Sequence, residues 1–152
     1  MTIPQPPPAA TQGLMMLIYA SSALKPLTSD ELVEILRKAR EKNARLDITG
    51  MLLYKNGNFL QALEGPEQAV ADLYKTIQQD ARHYQVATIL KRPIQKRDFS
   101  EWEMGFVDLG KPELKEVPGY TAFLKEPFTI ERFNENPSIA YEFLQAFKEG
   151  MR

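Results

Sequence analysis

"DITGMLLYKNGNFLQALEG", residues 47–65, is the stretch whose reading decides the fold. Two strand-like runs flank Asn56-Gly57, the dipeptide that favours a type I′ turn, so the segment predicts a β-hairpin. In the second run an extended chain turns Phe59, Gln61 and Leu63 to one side and Leu60, Ala62 and Glu64 to the other. A glutamine then shares a face with a phenylalanine and a leucine. Burying a primary amide without partners costs about 1–3 kcal/mol. Either Leu60 and Ala62 face inward and Gln61 faces water, or Gln61 is held in a cleft for what it can bind.

Outward from the hairpin, "LMMLIYASS" from Leu14 reads as a buried strand that ends in small polar residues. Thr28, Ser29 and Asp30 supply helix caps, and Leu32, Ile35, Leu36 and Ala39 follow at helical spacing. This predicts a first helix to about Lys42 or Asn43, with Asn43 as its C-cap. On the far side of the hairpin, Pro66 stands where a helix can begin. Val70, Leu73, Tyr74 and Ile77 then form the apolar stripe of a second helix, closed by Asp80 to His83. "YQVATILKRPI" and "WEMGFVDL" read as two further strands.

The order strand, helix, hairpin, helix, strand, strand predicts an α+β protein. It is a ferredoxin-like sandwich, a mixed five-stranded sheet with two helices on one face. Residues 1–12 hold four prolines and no charged side chain, which predicts a disordered Pro-rich tail. Residues 13–110 form the domain, and 111–152 are expected to be a C-terminal helical cap. Within that cap only "SIAYEFLQAFKEG" has a helical period.

Composition narrows the partners. Lys+Arg number 19 and Asp+Glu 20, so no basic excess points to a nucleic acid or an acidic membrane. The absence of cysteine excludes a disulfide framework, thiolate zinc sites and cysteine nucleophiles. No apolar run approaches the roughly 18 residues of a membrane span, and the N-terminus lacks the layout of a signal peptide. A cytoplasmic protein is expected.

Several polar residues fall where this fold can gather them. Tyr19 shares a strand face with Leu17 and Ser21, as Gln61 does with Phe59 and Leu63. Each has a plain structural reading: Tyr19 as a core tyrosine, Asn43 as a cap, Asp80 and Arg82 as a solvated pair, His83 as a helix-end histidine, Trp102 and Met104 as core. Together, a phenol and an amide on neighbouring strands facing a cleft between two helices suit a planar heteroaromatic ligand with carbonyl and imide edges, with Ile35 and Ile77 as apolar walls. Physical reading alone stops at a small-molecule-binding domain.

Over about residues 14–109 the ordered set "LIYAS", "KNARLDITGMLLY", "FLQALEGP", "IQQDARH" and "EWEMGF" resembles the BLUF family of flavin-based blue-light sensors. The resemblance implies FAD between the two helices, with FMN or riboflavin as substitutes. It implies that Tyr19 gives an electron and a proton to the excited flavin, and that Gln61 lies between Tyr19 and the ring edge and rotates or tautomerises. Asn43 would bond the pyrimidine side of the ring, and Ile35 and Ile77 would sandwich it. Asp80, Arg82 and His83 would hold the ribityl chain or lie beside the flavin, and Trp102 and Met104 would pass on the signal. Ala39 stands where several members carry serine, which implies altered dark recovery, and Lys42 fills the variable position before Asn43.

The expected function is a non-enzymatic, short stand-alone photoreceptor that forms homo-oligomers and signals to a separate downstream protein. The alternative is a ferredoxin-like regulatory module that binds a small metabolite without photochemistry. An acylphosphatase-type enzyme would need a cradle of backbone donors for phosphate, and "SSALKPL" contains no glycine to build one. A flavin oxidoreductase would lack any nicotinamide fingerprint.

Overall fold

The computed structural model describes residues 13–25, 27–55, 57–100, 105–108, 133, 135 and 137–150. Its elements are β1 (Leu14–Ala23), α1 (Ser29–Leu46), β2 (Thr49–Lys55), β3 (Asn58–Pro66), α2 (Glu67–Gln78), β4 (His83–Ile94), β5 (Gly105–Asp108) and α3 (Pro137–Gly150). The strands form one five-stranded sheet in the order β4-β1-β3-β2-β5. β1 runs antiparallel to both β3 and β4, β2 antiparallel to β3, and β5 parallel to β2. This is the mixed α+β sandwich that the element order predicts. The expected tail, residues 1–12, and Trp102 and Met104 lie outside the described residues.

The hairpin of β2 and β3 pairs Lys55 with Asn58 and carries on to Thr49 opposite Glu64. Gly57 sits at a φ of 83°, a left-handed conformation that glycine adopts at no steric cost. Its carbonyl accepts from the Ala23 N–H at 2.7 Å, which ties the turn to the end of β1. Gly65 matters for a different reason: a Cβ there would stand 2.8 Å from the Asp47 carbonyl oxygen, so the approach of the α1–β2 link to β3 excludes a side chain.

Helix α1 begins in a capping box. The Thr28 side chain accepts from the Glu31 N–H, and the Glu31 carboxylate accepts from the Thr28 N–H, each at 3.1 Å. The helix runs past Asn43 to Leu46 and is capped by Asp47 in the left-handed conformation. The expected C-cap role of Asn43 is therefore incorrect. Asp47 turns the chain, and Asn43 sits one turn inside the helix with Leu32 and Leu36 on its buried face. Helix α2, by contrast, ends earlier than expected, at Gln78 with Gln79 as its cap. Asp80 to Arg82 form the turn that follows, and His83 opens β4.

Strand alternation divides the core in two. One face carries Met15, Leu17, Tyr19, Leu52, Phe59 and Leu63, packed against Leu32 and Leu36 of α1 and Val70, Leu73 and Tyr74 of α2. The other carries Met16, Ile18, Met51, Leu53, Leu60 and Ala62, which meet Phe99, Phe133 and, from α3, Ala140 and Leu144. A sheet buried on both faces reads as near-continuous apolar runs, as in "LMMLIYA".

Candidate functional site

Tyr19 and Gln61 are direct cross-strand neighbours in the β1–β3 register, a spacing that lets side chains on one face touch. The Tyr19 hydroxyl donates to Gln61 Oε1 in a short hydrogen bond. Gln61 is 7% exposed, so the reading that placed it on a solvated face is incorrect. Burial drives the Tyr19 phenol far above its ordinary pKa, and the nearby Tyr74 and Asp80 add to the rise. The phenol is a neutral hydrogen-bond donor throughout the physiological range. Its ring lies 5.4 Å from that of Tyr74, tilted by 43°, and the Tyr74 hydroxyl is 2.8 Å from Thr88 Oγ1.

A cleft of about 210 Å³ opens between α1 and α2 above this pair. Eight of the candidate residues line it: Tyr19, Ile35, Asn43, Gln61, Ile77, Asp80, Arg82 and His83. Ala39 and Lys42 line it as well. Asn43 reaches it because it lies seven residues, about two helical turns, beyond Leu36, which keeps it on the inward stripe of α1. The sequence reading missed Lys38, Leu52, Leu73 and Thr76 as cleft residues. Leu73 was legible only as part of an apolar stripe, and Lys38 carries no signal that separates it from a solvated lysine.

The turn after α2 forms one wall. The Arg82 backbone N–H and Nε both donate to Asp80 Oδ1 at 2.9 Å, and the guanidinium also grips Oδ2. These bonds to Arg82 hold the Asp80 carboxyl down at about 2. His83 Nε2 lies 2.5 Å from the Ile77 carbonyl oxygen and Nδ1 lies 3.0 Å from Ser21 Oγ. A carbonyl only accepts, so Nε2 carries a proton and donates; in the neutral ring Nδ1 then accepts from the serine. His83 thereby clasps the end of α2 to β1. The β1–β4 ladder is irregular beside it, between Ile18 and Tyr19 and between Ala20 and Ser22. Gln85 there has a φ of 53°. Such bulges re-aim side chains next to functional sites.

The chemistry of this donor set suits a flavin. The aliphatic side chains of Ile35, Ile77, Leu52 and Leu73 offer flat apolar walls, while two carboxamides and a phenol offer donors and acceptors for a ring edge that presents both. Among the described residues no group of three or more histidine or carboxylate side chains is placed to hold a metal ion. No described helix is long and apolar enough to cross a membrane.

Known proteins resemble this chain in sequence and in fold. The beta subunit of a photoactivated adenylate cyclase from Euglena longa is 47% identical over 92 residues, which cover 60% of this chain and 11% of that protein. The chain thus spans about a tenth of the length of that relative. The dark-state structure of the BLUF protein BlrB superposes with a TM-score of 0.72 at 30% identity, over 89% of this chain and 95% of BlrB. Klebsiella pneumoniae BlrP1, solved with FMN and cyclic diGMP, gives a TM-score of 0.59 at 35% identity, over 63% of this chain and 26% of BlrP1. The sequence pattern of sensors of blue light using FAD extends over residues 14–105, from the start of β1 to the first residue of β5, and the chain belongs to this family, BLUF.

Proposed function

We propose that Tyr19 and Gln61 are the photoactive pair of this sensor and that its output is a light-dependent contact with another protein. One observation carries the reading: a buried phenol donates to a buried carboxamide at the wall of a cleft whose other residues suit a flavin. The bound flavin would supply light absorption and an electron acceptor. The protein's part is to position and to switch. Tyr19 gives up and regains an electron and a proton, and the proton sits on the bond to Gln61 Oε1. Gln61 presents an acceptor at Oε1 and donors at Nε2, so rotation or tautomerisation of its amide reverses what Tyr19 and the ring edge meet. Asn43 would hold the ring's polar side, Ile35 and Ile77 would pack on it, and Asp80, Arg82 and His83 would hold the chain that leaves it.

The altered hydrogen bonding has a physical route to the opposite face. Three residues along β3, Glu64 accepts from the N–H groups of Asp98 and Phe99, both at 2.7 Å. Asp98 Oδ2 in turn accepts from the Tyr141 hydroxyl of α3 at 2.9 Å. A partner that binds the two states of this linkage with different affinity reads the light signal. The reading assigns the chain no catalytic turnover, and either FAD or FMN suits the cleft.

The test is the visible spectrum of the purified protein before and after blue illumination. A flavin spectrum with a small reversible red shift is expected. A protein that stays colourless and fails to take up added flavin would instead be a metabolite-binding module.

A further inference from the structure

Thr88 owes its place to a break in its strand. Along β4, Val86 packs on the face with α1 and α2, whereas Ala87, Ile89 and Leu90 pack on the face with α3. Ile89 and Leu90 are adjacent in sequence yet share a side, which strict alternation forbids. The cause is the irregularity in the β1–β4 ladder: Ile18 pairs with Leu90 and Tyr19 with Thr88, so Ile89 is the extra residue. A one-residue shift of this kind sends the side chains beyond it to the other face. In an unbroken ladder Ile89 would oppose Tyr19, and Thr88 would oppose Ala20 on the α3 side. The bulge instead sets a hydroxyl beside Tyr19.

That hydroxyl meets Tyr74 of α2. The two oxygens are 2.8 Å apart, a hydrogen bond that ties the helix to the edge strand. The Tyr74 ring lies 5.4 Å from that of Tyr19 at a tilt of 43°, where aromatic pairs attract. Tyr19 is thus held at its hydroxyl by Gln61 of β3 and at its ring by Tyr74, which Thr88 keeps from turning away. Neither Tyr74 nor Thr88 is among the described residues that line the cleft, so their effect on the site passes through Tyr19. Packing alone does not explain the pair. Phenylalanine and valine would fill the same space and leave no hydroxyl to satisfy.

We infer that Tyr74 and Thr88 are a positioning pair for the Tyr19–Gln61 switch, and that their hydrogen bond sets how long the light-adapted state lasts. The inference rests on the photoactive reading of Tyr19 and Gln61 above. For the Gln61 amide to turn over, the Tyr19 hydroxyl must release Oε1 and the phenol must give way while the amide passes. A ring pinned by Tyr74 gives way less readily, which raises the barrier to return in the dark.

The experiment compares the wild type with Tyr74→Phe, Thr88→Val and the double variant. Dark recovery is followed by absorption after blue illumination. The flipping rate of the Tyr19 ring is measured by NMR in the purified protein kept in the dark, a readout that needs no photochemistry. Each single variant should keep the red shift, flip the Tyr19 ring faster and recover about fivefold faster, the effect of one neutral hydrogen bond on a barrier. The double variant should match the single ones, because each removes the same bond. Thr88→Ser keeps the hydroxyl and should recover as the wild type does. A pair that only supports the fold would lower stability and leave recovery and ring flipping unchanged, and that result overturns the inference. Effects that add in the double variant overturn it too. A wild type that binds flavin without any red shift overturns the photoactive reading itself, and this inference with it.

Discussion

Gln61 and Glu64 stand three residues apart on β3 and face opposite sides of the sheet. Both are buried, and both look like errors in an apolar strand. Glu64 is held by the backbone: the N–H groups of Asp98 and Phe99 donate to its two oxygens, and Arg97 of the same loop donates to its main-chain carbonyl at 3.3 Å. Gln61 is held by a side chain, Tyr19, and borders a cavity. A carboxylate pinned by main-chain donors has one arrangement. A carboxamide against a phenol has two, because its ends exchange donor for acceptor at little steric cost. The same contrast separates the two faces: the side with Phe99, Phe133 and α3 is closed by hydrocarbon, while the side with α1 and α2 leaves a cleft.

The comparison breaks most sharply at Tyr19. Tyr19→Phe should retain flavin and lose the reversible red shift entirely, as read by light-minus-dark absorption; a preserved shift would make the two buried polar groups equivalent. Glu64→Ala should leave the photochemistry intact but strand two buried donors. At about 1–3 kcal/mol for each, the loss in a denaturant titration should be about 4 kcal/mol.

The carboxyl of Glu64 also carries a pH signature. Burial raises its pKa, with Asp98 and Phe99 N–H groups opposing the rise. A carboxyl whose folded pKa lies above its unfolded one binds more protons when folded. Stability therefore falls as pH rises from its ordinary value of 4.5 through the raised one. Glu64→Gln should flatten that part of the stability–pH curve.

Smaller effects sharpen the contrast between faces. Leu60 is fully buried on the closed side, so Leu60→Ala should cost about 3 kcal/mol with flavin affinity unchanged. Thr28→Ala removes the capping box of α1 and should cost about 1 kcal/mol, measured in the same titration.

The sequence makes the hairpin, the order of elements and the two-sided burial legible because alternation and turn chemistry are local. It makes Gln61 legible as an anomaly, since one polar letter on an apolar face has few explanations. The end of α1 was not legible. "KNARLD" contains no glycine, and Asn43 is a better cap by type than Asp47, yet Asp47 adopts the left-handed conformation. What displaces the cap is tertiary: Asn43 faces the cleft and Ile48 packs into the core. The continuation beyond Asn43 carries a clue only in retrospect, as Asn43 keeps the spacing of Leu32 and Leu36. The turn after α2 escapes a local reading for a similar reason, because Asp80 and Arg82 bond to each other and not along a helix. His83 reads as a helix-end residue until the fold brings Ser21 to its ring.

The central claim is that the Gln61 carboxamide is the switch. Its most direct test is the light-minus-dark absorption spectrum of Gln61→Leu, with bound flavin quantified in the same sample. Leucine is similar in size and offers neither donor nor acceptor, so the variant should bind flavin and show no reversible red shift. A variant that binds flavin and shifts as the wild type does would contradict the account and place the switch elsewhere.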